Sequence, residues 1–160
     1  MQVFDASSMI YAWDNYPIRQ FPPLWSWIAS QITLKQLVMP VVAFDEVAGK
    51  TPECGEWLKD NGIELLQITN EILRDAMAFK GLLGIVNDEY HPKGVGENDL
   101  LIIASAKAHG AELVSDEEKQ PTLPDVMAKK KIPAVCAMAD VGVPCMNFIE
   151  YIKTSNAVFA

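Results

Sequence analysis

The sequence has no uninterrupted apolar run of about 18 residues, the length a membrane-crossing helix needs, although half of its 160 residues are hydrophobic. It also lacks a basic amino-terminal region. MQVFDASSMI carries an acid at position 5 and no lysine or arginine, which excludes a secretory signal and leads us to expect a cytoplasmic protein with no membrane partner. Cysteine is scarce, and Cys54, Cys136 and Cys145 have no C-x-x-C spacing, so buried thiols are expected rather than a zinc site. The only two histidines, His91 before Pro92 and His109 at the end of a helical stretch, have no visible nucleophilic partner. Positive charge is in deficit: 13 lysines and arginines against 21 acids give a net charge of −8. That balance argues against a polyanionic partner unless cations neutralise the acids where the partner binds. Finally, Gly94-Val95-Gly96 is not followed by a Lys-Ser/Thr pair, which excludes a phosphate-binding P-loop.

What remains is a chain with enough length and apolar content for one core, without internal repeat, low-complexity tract or linker. We read residues 1–160 as a single domain. The organising stretch is 94–118, GVGENDLLIIASAKAHGAELVSDEE. The pattern predicts a helix over 99–109, capped by Asn98 and stopped by Gly110, and a strand over 112–115 that runs straight into Asp116, Glu117 and Glu118. Leu100, Leu101, Ile103, Ala104, Ala106 and Ala108 make that helix apolar on most of its circumference, so burial is expected.

Elsewhere, strands are expected at 2–4, 37–42, 64–68 and 143–148. Between them the pattern predicts helices over 8–13, capped by Ser8, and from Pro22-Pro23 through Ile32. Further helices are expected at 43–48, 56–59, from an Asn70 cap through Leu83, over 125–130, over 132–139 and at the carboxyl end. This alternation predicts a three-layer α/β/α fold with a mainly parallel central sheet.

In such a sheet the crossover helices run antiparallel to the strands. The start of helix 99–109 and the end of strand 112–115 therefore share one edge. Asp5 ends the first strand, Glu46 follows the second, Asp99 opens the buried helix, and Asp116 and Glu117 end a later strand. All fall at the carboxyl edge, where open α/β sheets bind ligands. Any one of these acids alone reads as a solvated loop residue or a cap. Together they would repel one another unless a cation intervened. Hard oxygen donors select Mg²⁺ or Mn²⁺, and such an ion would also screen the acidic patch from an RNA backbone.

VFDASSMI, the acid of FDEVAGK, ENDLLIIASAKAHGAELVSDEE and the closing VPCMNFIEYI together resemble a PIN domain, most nearly the small prokaryotic single-domain proteins that include toxins of toxin–antitoxin pairs. The likeness spans almost the whole chain and is strongest over 97–117. It implies catalytic acids at Asp5, Glu46, Asp99 and Glu117, metal ligation chiefly by Asp5 and Asp99 with Glu117 or Asp116, and supporting hydroxyls or amides at Ser7, Ser115 and Asn98. Asp116-Glu117-Glu118 departs from the commoner Asn or Asp, leaving open which of the three points inward; spacing favours Glu117, then Asp116. The implied activity is Mg²⁺- or Mn²⁺-dependent hydrolysis of RNA phosphodiesters, leaving a 5′-phosphate and a 3′-hydroxyl. The implied partners are RNA, an antitoxin protein and a second copy of the chain.

The alternative is a PIN-like interaction module whose acidic pocket no longer cuts. An aspartyl phosphatase fits poorly, because position 7, where a second acid is needed, holds Ser7. A receiver domain fits no better, since adjacent acids on the first strand and a late lysine are not clearly present. Trp25 is expected in the core, Trp13 is a weak candidate for base stacking, and Lys129-Lys130-Lys131 reads as a solvated helix end or an RNA contact.

Overall fold

The computed structural model describes all 160 residues. Five short strands, β1 (Gln2–Phe4), β2 (Leu37–Pro40), β3 (Leu65–Leu66), β4 (Glu112–Val114) and β5 (Cys145–Met146), form an all-parallel sheet in the order β3-β2-β1-β4-β5. Eight α-helices connect and flank them: α1 (Ala6–Asn15), α2 (Pro22–Thr33), α3 (Val41–Lys50), α4 (Pro52–Asp60), α5 (Asn70–Leu82), α6 (Glu97–Ala108), α7 (Ile132–Cys136) and α8 (Phe148–Ser155), with a 3₁₀ turn at Met127–Lys129.

The chain first moves outward from β1 to β2 and β3, then crosses back to β4 and β5. With right-handed crossovers this sends α1–α4 to one face and α5–α7 to the other. Val3, Phe4, Leu37, Val38, Met39, Leu113 and Val114 are buried on both sides of the sheet, as a doubly covered parallel sheet requires. They join a core of 39 buried residues drawn from every strand but β5.

Several boundaries differ from the sequence reading for identifiable reasons. Helix α1 begins at Ala6, with Asp5 in extended geometry before it, so Ser8 lies inside the helix rather than capping it. Strand β2 stops at Pro40, whose ring fixes φ at −59° and passes the chain directly into α3. Thr69, not Asn70, caps α5, its side chain accepting from the Ile72 N–H at 3.2 Å. Strand β3 keeps only two residues of the expected five, β5 two of six, and the expected helix at 125–130 is a single 3₁₀ turn. Gly110, at φ +59°, does end α6 by a left-handed turn.

Helix α6 starts two residues earlier than expected, at Glu97 rather than 99. Gly96 occupies the cap position and Asn98 lies within the first turn, so Asn98 does not cap. Ile102 and Ser105 are buried in it as well, while Ala108 is exposed. Ser105 is satisfied in the core by donating to the Leu101 carbonyl at 2.8 Å.

Candidate functional site: an acidic crevice at the switch of strand order

β1 and β4 are neighbours in exact parallel register, Phe4 opposite Val114. The next residues, Asp5 and Ser115, therefore emerge side by side at the carboxyl edge, where the strand order reverses and helices leave for opposite faces.

Asp5 is 2% exposed. Its Oδ2 accepts from Ser7 Oγ at 2.5 Å and from Ser115 Oγ at 3.0 Å. Each hydroxyl in turn accepts from a backbone amide: Ser7 from the Asp116 N–H at 2.9 Å, Ser115 from the Glu117 N–H at 3.2 Å. The turn after β4 is thus pinned to the first turn of α1 through two serines and one carboxylate. Burial pushes the Asp5 carboxyl above its ordinary value, opposed by the Ser7 and Ser115 hydroxyls and the amides of Ala6 and Ser7.

Asp99, in the first turn of α6, accepts from the Gly96 N–H at 2.9 Å. Its carboxyl is pushed up to about 6, mainly by burial and further by the charges of Asp5, Glu117 and Glu46, against the pull of the Gly96 amide. Glu117 is also raised, by burial and the charges of Asp5 and Glu46, while Lys131 and Lys50 act the other way. The charges of Asp5 and Glu46, contributed by other parts of the chain, thus bear on both Asp99 and Glu117. Glu46 and Asp99 line one open cleft of about 310 Å³ with Gly96, Glu97 and Asn98.

The three consecutive acids after β4 separate cleanly. Glu117 is half-buried, and its carboxyl is raised by burial and by the charges of Asp5 and Glu46. Glu118 is exposed and pairs with Lys131 at 3.6 Å. Asp116 is held elsewhere: its Oδ1 accepts from Ser8 Oγ at 2.6 Å and from the Phe148 N–H at 2.9 Å, tying β4 to α1 and to the start of α8. Asp116 thus does not stand among the acids that act on Asp99. Asn98 remains on the cleft wall, with a side chain free of hydrogen bonds to protein.

No three of the His, Cys, Asp and Glu side chains are gathered closely enough to cage a metal ion. The donor set is nonetheless all carboxylate, from the buried Asp5 to the partly exposed Asp99, Glu117 and Glu46. Such a set fits Mg²⁺ or Mn²⁺ better than zinc, since an ion that keeps much of its water needs only one or two protein carboxylates. The cysteines do not compete: Cys54 and Cys136 are buried, all three are free, and Cys54 is pushed up to about 12 by burial.

Other candidates resolve into structure. Trp13 packs edge-on against Trp25 at 5.3 Å, and Trp57 closes the cluster at 4.9 Å from Trp25, so Trp13 presents no stacking platform. His91 Nδ1 accepts from the Lys93 N–H at 3.0 Å, shaping the loop. Gly94 is required by close approach: a Cβ there would lie 1.8 Å from the Ala128 carbonyl oxygen. Sequence reasoning missed the Gly96 amide, the Ser8–Asp116 bond and the charge of Lys50 on Glu117, and named Lys131 only within the basic run 129–131. Of these only Lys50 carried a signal, four residues after Glu46 on one helix face.

A family model described as "Domain of unknown function (DUF4411)" matches residues 2–159. No curated protein matches the chain. Among solved structures, the chain is similar to the crystal structure of VapBC2 from Rickettsia felis bound to a DNA fragment from their promoter. The identity is 16% and the TM-score 0.54, covering 91% of this chain and 97% of that one. It is also similar to a toxin–antitoxin complex from Klebsiella pneumoniae, at 16% identity and a TM-score of 0.50, covering 78% of this chain and 93% of that one. At that identity the likeness establishes the fold.

Proposed function

The chain belongs to the DUF4411 family, and from its acidic crevice we propose that it is a PIN-type, Mg²⁺- or Mn²⁺-dependent ribonuclease acting as the toxin of a toxin–antitoxin pair. The observation that carries the reading is the buried Asp5 carboxylate at the switch of strand order, held by the Ser7 and Ser115 hydroxyls, together with the open cleft that Glu46 and Asp99 line. That one of the similar solved structures is a toxin–antitoxin complex supports the biological setting.

In this reading Asp5 and Asp99 would be the principal ligands, and Glu117 and Glu46 would complete the shell directly or through water, since no three of these carboxylates are close enough to cage an ion by themselves. A bound ion of this kind lowers the pKa of water and stabilises charge on a displaced phosphodiester oxygen. The protein's part is to keep the carboxylates ionised and aimed. Ser7 and Ser115 hold Asp5 in its charged form against the cost of burial. The Gly96 amide does the same for Asp99. Lys50 and Lys131 oppose the rise at Glu117.

The antitoxin belongs to the same proposal. An apolar groove of about 430 Å³, lined by Tyr16, Phe21, Leu24, Ile149, Ile152 and Phe159, would receive the apolar face of a partner helix. A basic partner would complement the net charge of −8. Exposed Leu73 and Met77 on α5 offer a separate surface for a second copy.

The test is cleavage of a labelled single-stranded RNA with Mn²⁺ and with a chelator, comparing the native chain with Asp99→Asn. The reading predicts Mn²⁺-dependent cleavage that falls on the order of a hundredfold or more in the variant. Cleavage unchanged in Asp99→Asn would place the activity outside this crevice. No cleavage by the native chain would favour the non-cutting interaction module.

A further inference from the structure

An acidic protein that handles RNA must meet the phosphate backbone with positive charge somewhere near the crevice. Few of the 13 basic residues stand there. Lys50 ends α3, the helix that carries Glu46, and its Nζ lies 3.9 Å from Glu46 Oε2. Lys131 precedes α7, with its Nζ 3.6 Å from Glu118 Oε2. Both ion pairs are long, and the lysine side chains are 66% and 31% exposed, so neither amine is committed to its carboxylate. The two sites follow β2 and β4, the strands on either side of β1 in the sheet. Lys50 thus stands beside Glu46, which lines the cleft with Asp99, and Lys131 beside Glu118, the residue after Glu117.

Lys131 is placed with unusual care for a surface lysine. Its N–H donates to Gln120 Oε1 at 2.9 Å, and Gln120 Nε2 donates to the Lys129 carbonyl at 3.1 Å. The preceding residues are held from the other side, where the Val95 N–H donates to the Lys130 carbonyl at 3.0 Å and Gly94 lies against Ala128. The loop that leads into α6, and so into Asp99, is therefore fastened to the segment that presents Lys131. Lys130, by contrast, is 9% exposed and turned away from solvent. Within the basic run 129–131, Lys131 is the residue whose charge reaches Glu117.

We propose that Lys50 and Lys131 are a pair of phosphate contacts that hold an RNA backbone across the acidic crevice, one beside Glu46 and one beside Glu118. The proposal rests on the ribonuclease reading and names how that site grips its substrate. Each lysine exchanges a long, solvated ion pair for a phosphate, so single-stranded backbone is drawn over the carboxylates despite the net negative charge. Both act on binding and not on the reacting bond.

The experiment is steady-state cleavage of a labelled single-stranded RNA in Mn²⁺ over a salt series, with the full chain and its variants Lys50→Gln, Lys131→Gln and the double substitution. Lys35→Gln is the control; Lys35 precedes β2 at the opposite edge of the sheet and pairs with Glu64. The proposal expects KM to rise about five- to tenfold per lysine with kcat little changed. It also expects the slope of log KM against log salt to fall by about 0.7 for each contact removed. Lys→Arg should restore both. A shift in the pH profile and kcat with KM and the salt slope unchanged would assign the lysines to tuning Glu117 and overturn the proposal. RNA cleavage with all lysine variants like native would also overturn it, while leaving the ribonuclease reading intact. Should the native chain not cleave at all, the ribonuclease reading fails, and RNA binding by anisotropy in Mn²⁺ decides this one: lysine-dependent binding supports the tether, and absent or lysine-independent binding overturns it.

Discussion

Ser115 Oγ donates to Asp5 Oδ2 at 3.0 Å across 110 residues of sequence, and the same hydroxyl accepts from the Glu117 amide. A serine at the end of one strand thereby both charges the acid at the end of the next and positions the acid two residues on. Ser115→Ala removes one donor from a buried carboxylate, at a cost of about 1–3 kcal/mol. Asp5 already sits above its ordinary value, so the loss should be small in acid, where the carboxyl is protonated, and grow as pH rises. Melting temperatures of the native chain and the variant across pH 4–8 check this. An equal gap at every pH would contradict it.

Asp99 makes the opposite statement about stability. Its folded value of about 6 lies above the ordinary 3.8, so the folded state binds the proton more tightly than the unfolded chain. Stability from this group is fully present below pH ~4 and is lost as pH rises through about 6. The cost at pH 7.5 is at most about 3 kcal/mol. Asp99→Asn, which keeps an oxygen for the Gly96 amide, should therefore melt higher than the native chain at pH 7.5 without divalent ions. At pH 4 the two should melt alike. Chemical denaturation at both pH values measures the difference.

Asp116 is expected to behave as a structural acid. Asp116→Ala frees the Phe148 amide at the start of α8 and leaves Ser8 without its acceptor. Unfolding should become easier by about 1–3 kcal/mol. Asp116→Asn, which retains an acceptor oxygen, should recover most of this and cleave RNA at the native rate per folded molecule. Loss of cleavage in a stable Asp116→Asn chain would instead make Asp116 a ligand.

Gly94→Ala tests the junction that positions Lys131. The added methyl meets the Ala128 carbonyl oxygen at 1.8 Å, backbone against side chain, so one of the two segments must move. The cost should be about 1–3 kcal/mol or more. KM for RNA should rise in parallel with that of Lys131→Gln. A native melting temperature would mean that the 94–95 and 128–130 segments are not in contact in solution.

The alternation of apolar strands with helices was legible because Gln2–Phe4, Leu37–Pro40 and Glu112–Val114 are buried runs bounded by turn signals. A mainly parallel sheet followed from it, and the sheet is parallel throughout. The short outer strands were not legible in length. Leu65–Leu66 and Cys145–Met146 pair along one neighbour only, and apolar residues beyond them serve packing rather than the ladder. In the crevice, Asp5 stood out because an acid ending an apolar strand needs partners. Spacing favoured Glu117 over Asp116, but the hold on Asp116 by Ser8 and the Phe148 amide is a long-range arrangement that local spacing does not reveal. Asn98 misled because it is a good capping residue beside Gly96, whose cap position is set by the backbone and by Asp99 reaching back to it.

The central claim is that the acids of this crevice take a divalent ion, and titration of Mn²⁺ into the protein, followed by the loss of the free-ion EPR signal, tests it most directly. The account predicts saturable binding by the native chain, a melting temperature that rises with Mn²⁺, and the loss of both in Asp99→Asn. Binding that is absent at millimolar Mn²⁺, or that persists undiminished in Asp99→Asn, would contradict it.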